Sequence, residues 1–437
     1  IPQMAYLLMP TLVTAILWVW ITLLLVLLCI AIAYYLPKHP VLGPLTVGAA
    51  WYILDWVNYT AIPIWGMAQS FARSWTAYPF AIQFISITGI SGVLSVIAAL
   101  QGSVAHLIML RGKHNRGAAF NPLPPSAVAF KLWRDKSGQA PFAGGEFFAS
   151  VTIGTIVLMV AGVNMAIWFQ RPTGTITVAA AGWVFDDRSS EIDPHKDEGF
   201  EKLFAEPARE AAAKGARIFT TGEMGFYIAK HEWGEWMNRF SVVAQDNNLW
   251  LVVGYFNIDI DENRLFFMSP EGQIIHEYTK THLTPFEPGH KGNGYLKTIR
   301  VDGLTIGAMI CQDDNFSKRT RHYGNLKADL VLCPTADWWT IKDAHLQAIR
   351  ARAIECNYGI VRGAACGVSA VISPRGQVLA KRDHYSDGPG YVIGDIPVYR
   401  NKTFFSRFGY WPSLVGAGMC IGLCGLHWRK EKRRSLA

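Results

Sequence analysis

The chain has 437 residues, 51% of them hydrophobic and 17% charged, and a formal net charge of +8. That length supports two or three domains around a large core. The apolar excess is concentrated in a few runs, and no internal repeat or low-complexity tract is present, so a plain soluble composition and a disordered chain are both excluded. Residues 5–36 carry no charge and exceed the ~20 residues that span a bilayer. This run is too long for a signal-peptide apolar region and lacks a basic flank. It reads as one tilted helix or a tight pair broken near Pro10. The chain opens on Ile1, which points to residues upstream. Residues 41–60 form a weaker apolar run interrupted by Asp55. Residues 80–110 contain only His106 as an ionisable group, 147–169 contain none, and a last run extends from Trp411 to Trp428. The pattern predicts an integral membrane protein.

Charge gives the expected orientation. The loop 111–137 carries a net +5 and the tail "RKEKRR" at 429–434 a net +4, together more than the whole chain's excess. The basic balance therefore belongs to two membrane flanks and not to a nucleic-acid surface. By the positive-inside rule both flanks are cytoplasmic, Lys38 agrees, and residues 170–410 lie on the outer side. The expected domains are a helical region at 1–170 with about four spans, an outer domain at 174–397, and a last span with its basic tail at 398–437.

Between 174 and 397 the pattern alternates strands and helices, as in a layered α/β domain. Strands are expected at 175–183, 217–223 and 249–258. Helices are expected over 198–216, with Pro207 offsetting or kinking it, and over 232–247. A hairpin turning at Ser269-Pro270-Glu271-Gly272 follows, then two strands around Asp302-Gly303. A strand at 328–339, a helix at 343–357 and a hairpin turning at Pro374-Arg375-Gly376 complete the pattern. Of seven cysteines, Cys29, Cys420 and Cys424 fall in predicted spans. Cys333, Cys356 and Cys366 read as packing residues, with a 356–366 disulfide as an alternative on an oxidising side.

Three reactive groups fall at strand ends, where layered α/β domains gather their sites. Glu223 ends "RIFTTGE", Lys280 ends "IIHEYTK" and Cys311 ends "GLTIGAMIC". Each taken alone is ordinary: a capping carboxylate, a surface lysine, a buried thiol. Together they supply what a thiol nucleophile needs. A thiol of pKa ~8.5 is mostly protonated at neutral pH and requires a base or a nearby cation. A glutamate can take the proton, while a lysine and the backbone N–H groups after Cys311 can hold an oxyanion. No H-E-x-x-H, paired Cys-x-x-Cys or glycine-rich phosphate loop is present, so neither a metal nor a cofactor is expected. His276, His282, His290 and His345 read as surface or hydrogen-bonding residues. Trp65, Trp338 and Trp339 could line a lipid path or simply anchor at the interface, and Phe404 and Phe405 share that ambiguity.

"TTGEMGF", "EYTKTHLTPFEPG" and "GAMICQDDNF" resemble, in order, the Glu–Lys–Cys motifs of the nitrilase (carbon–nitrogen hydrolase) superfamily. "DAHLQAIRARAIECNYGIVRGAACGVSAVISPRGQVLAKR", "KTFFSRFGYWPSLV" and the upstream "AAWYILDWVNYTAIPIWGMAQS" narrow the resemblance to the bacterial apolipoprotein N-acyltransferases. It implies an α-β-β-α sandwich inserted in a helical transmembrane bundle of the bacterial inner membrane, the catalytic domain facing the periplasm. It also implies Cys311 as nucleophile, Glu223 as general base, Lys280 as oxyanion partner and Glu287 as a further active-site carboxylate. Glu287, Gln312, Asp313, Trp338 and Trp339 would then bind the substrate or support the residues that do. The implied reaction moves a phospholipid acyl chain, through a thioester, to the diacylglyceryl-modified N-terminal cysteine of a lipoprotein. A membrane-anchored amidase and a catalytically impaired homologue are the alternatives. Three departures from the family stand out. Gln312-Asp313 replace Tyr-Glu, Glu287-Pro288 stand where the family has Gly-Glu so that the carboxylate is displaced by one position, and about four helices precede the domain where the family has seven. The last implies that N-terminal membrane helices are lacking.

Overall fold

The computed structural model describes residues 2–61, 66–118, 145–183, 192–285 and 287–435, without the side chains of 2–14, 111–118 and 145. Trp65 and most of the basic loop 111–137 lie outside the described residues. The chain divides into two compact units, one from 1–61, 91–163 and 410–437, the other from 62–90 and 164–409.

The first unit is helical: Pro2–Tyr35, Leu42–Ala61, Gly92–Ala118, the greater part of Gly145–Trp168, and Trp411–Ser435. Pro2–Tyr35 is a single helix, without a break at Pro10. Among the described residues three stretches are long and apolar enough to cross a membrane: Ala15–Lys38, Gly92–Leu110 and Glu146–Trp168; the expected crossings at 41–60 and 411–428 are helical but fall short of that apolarity. The expected crossing at 80–110 is shorter than its apolar run. Residues 79–88 instead form the short turns Pro79–Ile82 and Ile85–Thr88, closed by Gly89 in the left-handed region at φ 78°. Within this unit small residues let helices approach. A side chain at Gly48 would strike the Ser95 carbonyl, and one at Gly416 would press on Ala49. Buried polar groups pair with one another: Ser91 donates to Asp55 at 2.7 Å, and Trp20 donates to Asn58 at 3.1 Å.

The second unit contains fifteen strands among the described residues. In chain order they are β1 (Gly174–Gly182), β2 (Ile218–Thr220), β3 (Phe226–Ile228), β4 (Trp250–Asn257), β5 (Glu262–Met268), β6 (Ile274–Thr279), β7 (Ile299–Val301), β8 (Leu304–Ala308), β9 (Leu330–Leu332), β10 (Thr335–Ala336), β11 (Gly359–Arg362), β12 (Ala364–Ala365), β13 (Val368–Ile372), β14 (Val378–Asp383) and β15 (Gly390–Val398). One sheet has the order β15-β1-β2-β4-β5-β6 with β3 also on β4, a second has the order β14-β13-β11-β9-β8-β7, and β10 and β12 form a short parallel pair.

Alternation along β1 explains the layering. Ile176, Val178 and Ala180 enter a core shared with Ile306, Ala308, Leu330 and Ile360 of the second sheet. Ala179 and Ala181 face the other way, into a core with Phe204, Ala208, Trp236 and Phe240 of the helices that cover the first sheet. Ile349 and Ala353 of Lys342–Cys356 close the opposite side. The result is a mixed α/β sandwich, helices outside and sheets within.

The helix expected at 198–216 runs over 197–213, and Glu201–Ala205 is a π-helical turn just before Pro207. Proline has no N–H to give the preceding turn, which accounts for the widening there. β15 was not expected as a strand, because Gly390, Gly394 and Pro397 dilute its pattern. Nine residue pairs with β1 override that local weakness. All seven cysteines are free, so the alternative of a 356–366 disulfide is not realised: Cys356 is buried at a helix end and Cys366 sits on a partly exposed turn.

Candidate active site

Strand direction brings the sequence candidates together. β2 is parallel to β4, and β6 returns to the same direction through the antiparallel β4-β5-β6 meander. Glu223 and Lys280, which follow β2 and β6, therefore emerge at the same sheet edge. Cys311 follows β8, and Cys311 N–H donates to the Pro334 carbonyl at 2.9 Å beyond the parallel strand β9. Neither Glu223 nor Cys311 is the last residue of its strand; each lies three positions past it. Cys311 opens a 3-10 turn, Cys311–Asn315, with φ 45°, and Met224 next to Glu223 has φ 49°. Left-handed backbone at non-glycine residues is costly and collects where side chains must be aimed.

The side chains form a buried cluster. Lys280 Nζ lies 2.6 Å from Glu223 Oε1 and 2.7 Å from Glu287 Oε2. Asn263 Nδ2 bridges the two carboxylates, donating to Glu223 at 2.6 Å and to Glu287 at 2.9 Å. The other Glu223 oxygen accepts from Ala336 N–H at 2.8 Å. The Cys311 thiol hydrogen-bonds to Glu223 and reaches the Ala336 carbonyl at 3.5 Å. Glu223, Lys280 and Cys311 are 3%, 1% and 3% exposed. Burial, with Glu223 beside it, pushes the Cys311 thiol well above its ordinary pKa, against the pull of Lys280. Burial likewise raises the Glu223 carboxyl although Lys280 opposes it. For Lys280 burial works against the charge, but the surrounding anions outweigh it and hold the ammonium protonated. The resting cluster is a protonated thiol beside a carboxylate base clamped by a cation.

The one-position shift of Glu287 does not remove it from the site. Thr284 anchors it, donating from its N–H at 2.8 Å and its hydroxyl at 3.0 Å. Asp313 faces inward. It accepts from Thr281 Oγ1 at 2.6 Å, His282 N at 2.9 Å and Tyr278 OH at 2.8 Å, joining the residues after Lys280 to the Cys311 turn. Burial alone would raise the Asp313 carboxyl, but the bonds from His282 and Thr281 hold it below its ordinary value. Gln312 accepts from Asn315 at 3.0 Å within the same turn. Trp338 and Trp339 are not in the buried cluster; they are 41% and 62% exposed.

Comparisons of the sequence with known proteins point to one class. Residues 195–401 match the carbon–nitrogen hydrolase family. Over those residues the second unit resembles that family. Along most of its length the chain also resembles apolipoprotein N-acyltransferases. That of Geobacter metallireducens is 23% identical over 423 residues, covering 87% of this chain and 70% of that protein. That of Rickettsia bellii is 31% identical over 169 residues, and there the chain spans 33% of the relative's length. Among solved structures, an amidase from Nesterenkonia sp. AN1 in complex with butyramide is 19% identical. It covers 51% of this chain and 91% of its own, with a TM-score of 0.45.

Around the nucleophile turn, the second unit holds charged residues that the sequence did not single out. His345, read as a surface or hydrogen-bonding histidine, is only 2% exposed. Its Nδ1 is 2.7 Å from Asp337 and its Nε2 is 3.0 Å from Asp314 in the Cys311 turn. Arg362 forms an ion pair with the other Asp337 oxygen. Burial would lower the His345 pKa, but Asp314 and Asp337 raise it to about 9. Arg352, fully buried, donates to the carbonyls of Asp314 at 3.0 Å and Asn315 at 2.9 Å, with Glu355 at 2.6 Å. Cys311, Asp337 and His345 offer ligand atoms within 4.8 Å of one another, a set that could hold a metal ion. Two of those donors already bond each other and His345 also bonds Asp314, so an ion would have to displace the shared proton. Nothing in the local sequence sets these residues apart: Lys342, Asp343, Gln347 and Arg350 stand among Asp337, His345, Arg352 and Glu355.

Proposed function

We propose that this chain moves an acyl chain from a membrane phospholipid to the α-amino group of a lipoprotein's lipid-modified N-terminal cysteine. Glu223, Lys280 and Cys311 are the catalytic residues. The observation that carries the reading is the buried Lys280 clamped between Glu223 and Glu287 beside the Cys311 thiol. The names of the long relatives supply the substrate class.

In the first half-reaction Glu223 takes the thiol proton as Cys311 sulfur attacks the ester carbonyl. A C–S bond forms and the charge on oxygen meets Lys280 and the backbone N–H groups after Cys311. Collapse breaks the ester C–O bond, and Glu223 returns the proton to the departing lysophospholipid. In the second, the amine attacks the thioester, Glu223 accepts its proton, the amide C–N bond forms and the C–S bond breaks. The proton passes back to the thiolate. Glu287 and Asn263 keep Lys280 and Glu223 in register through both steps. Trp338 and Trp339, exposed and aromatic, suit an acyl-chain approach.

A relative from Pseudomonas protegens named as a hydrolase, 27% identical over 168 residues, favours a second reading in which water takes the acyl group. One experiment separates them. Purified protein is incubated with phospholipid and its intact mass measured, then a diacylated lipopeptide is added. Wild type should gain one acyl mass, Cys311→Ala none, and the lipopeptide should remove the mass as an amide product. Spontaneous loss of the adduct with free fatty acid and no amide would replace transfer by hydrolysis. No adduct at all would sink both.

A further inference from the structure

We propose that a cavity in the helical unit, at the ends of Pro2–Tyr35 and Trp411–Ser435, binds the headgroup phosphate of an anionic phospholipid. This site is separate from Cys311 and rests on the reading that these helices cross a bilayer. The cavity has a volume of about 430 Å³, and its walls include Tyr34, Lys38, His427, Lys430, Glu431 and Arg434. The two helices are tied a turn inward, where Tyr35 OH and Cys424 Sγ are 3.3 Å apart.

Charge sets the ligand class. Glu431, the one carboxylate in the wall, is taken by His427 at 2.8 Å. Among the described residues no carboxylate pairs with Lys38, Lys430 or Arg434. Lys38 rests its ammonium 3.6 Å over the Tyr34 ring, an arrangement that fixes it while leaving N–H groups for an oxygen anion. Three cations against one carboxylate leave the space net positive, which fits a phosphate.

The surroundings favour a lipid over a soluble anion. A turn inward from Tyr34 and Lys430, Ile30 is 58% exposed and Leu426 59% exposed. Acyl chains would cover them. Trp428, 62% exposed, stands at the same level, where indole rings favour the membrane interface.

The test is native mass spectrometry of the full chain, delipidated in detergent and titrated with phosphatidylglycerol, phosphatidylcholine or inorganic phosphate. Wild type should retain phosphatidylglycerol at least tenfold better than phosphatidylcholine. Lys430→Glu with Arg434→Glu should abolish that preference, and Lys430→Gln with Arg434→Gln should reduce it. Arg429→Glu with Arg433→Glu changes the tail's charge equally without touching the cavity wall and should keep the preference. Equal loss in that control would reduce the effect to a polybasic tail and overturn the site. Displacement of phosphatidylglycerol by millimolar inorganic phosphate would overturn the lipid assignment. Absence of any preference in a chain that stays membrane-bound defeats the site alone. A chain released from membranes by alkaline carbonate defeats the membrane reading and the site together.

Discussion

At the scale of single residues, the site is a balance of buried charges that removal of one member upsets. Lys280 is shared by Glu223 and Glu287, and without it two carboxylates face each other in a buried pocket. Lys280→Met should lower acyl-enzyme formation by about 10²–10³-fold, as loss of an oxyanion donor does. It should also destabilise the domain by about 3–5 kcal/mol, because a broken buried pair leaves an uncompensated charge. A variant as stable as wild type would show that the carboxylates do not depend on the lysine. His345 makes a pH-dependent contribution. Its folded pKa is raised to about 9, above the usual imidazole range near ~6.5. The stabilisation is therefore complete below pH ~6.5 and is lost as pH rises through about 9, on the order of 3 kcal/mol in all. Thermal unfolding of wild type should fall across that interval, and His345→Gln should start lower and change less. Parallel curves would assign the pH dependence to another group.

At the scale of elements, the strand ends were legible and the turns beyond them were not. Strands β2 and β8 announce themselves by short apolar runs and β6 by its place after the Ser269–Gly272 turn, so Glu223, Lys280 and Cys311 could be picked as lying at or near strand ends, although Glu223 and Cys311 stand three positions past their strands. Glu287 was named as well, but only its fold-back through Thr284 explains why a one-position shift still brings it to Lys280. Asp313, expected either to bind the substrate or to support the residues that do, is buried at 0% exposure and staples the segment after Lys280 to the nucleophile turn. His345, Asp337 and Arg362 come from three different elements, and no local spacing predicts that they meet. The staple makes a prediction of its own. The depressed Asp313 carboxyl stabilises the fold above the unfolded aspartate value of ~3.9, and that contribution is lost as pH falls through its lower folded value. Asp313→Asn should weaken acylation more than phospholipid binding, since the turn loses its grip on Thr281 and His282 while the binding surface is untouched. Acid unfolding should lose part of its steepness below pH 4. Unchanged acylation with an unchanged acid limb would show that Thr281 and Tyr278 hold the turn without a charge.

At the scale of the whole molecule, charge partition along the chain predicts the side of a membrane on which the proposed transfer would take place. The loop 111–137 and the tail 429–434 together carry more than the chain's net positive charge; the loop lies between the apolar stretches Gly92–Leu110 and Glu146–Trp168, and the tail ends the helix Trp411–Ser435. Lys and Arg beside a span hold that end on the cytoplasmic side. If Gly145–Trp168 crosses once after the basic loop and Trp411–Ser435 crosses back, the domain between them lies outside. Two single-cysteine reporters test this: Lys381→Cys on the exposed face of β14 and Ser435→Cys in the basic tail, both exposed positions. Each is treated with a membrane-impermeant maleimide in intact spheroplasts and again after permeabilisation. Lys381→Cys should be labelled in both conditions and Ser435→Cys only in the second. The reverse pattern would put the domain in the cytoplasm, where an outer-leaflet lipoprotein N-terminus cannot reach Cys311. Labelling of both reporters in intact spheroplasts would place the tail outside and remove the charge argument. The side of the membrane is thus a condition on the acceptor, because the amine must meet the thioester on the face where the domain stands.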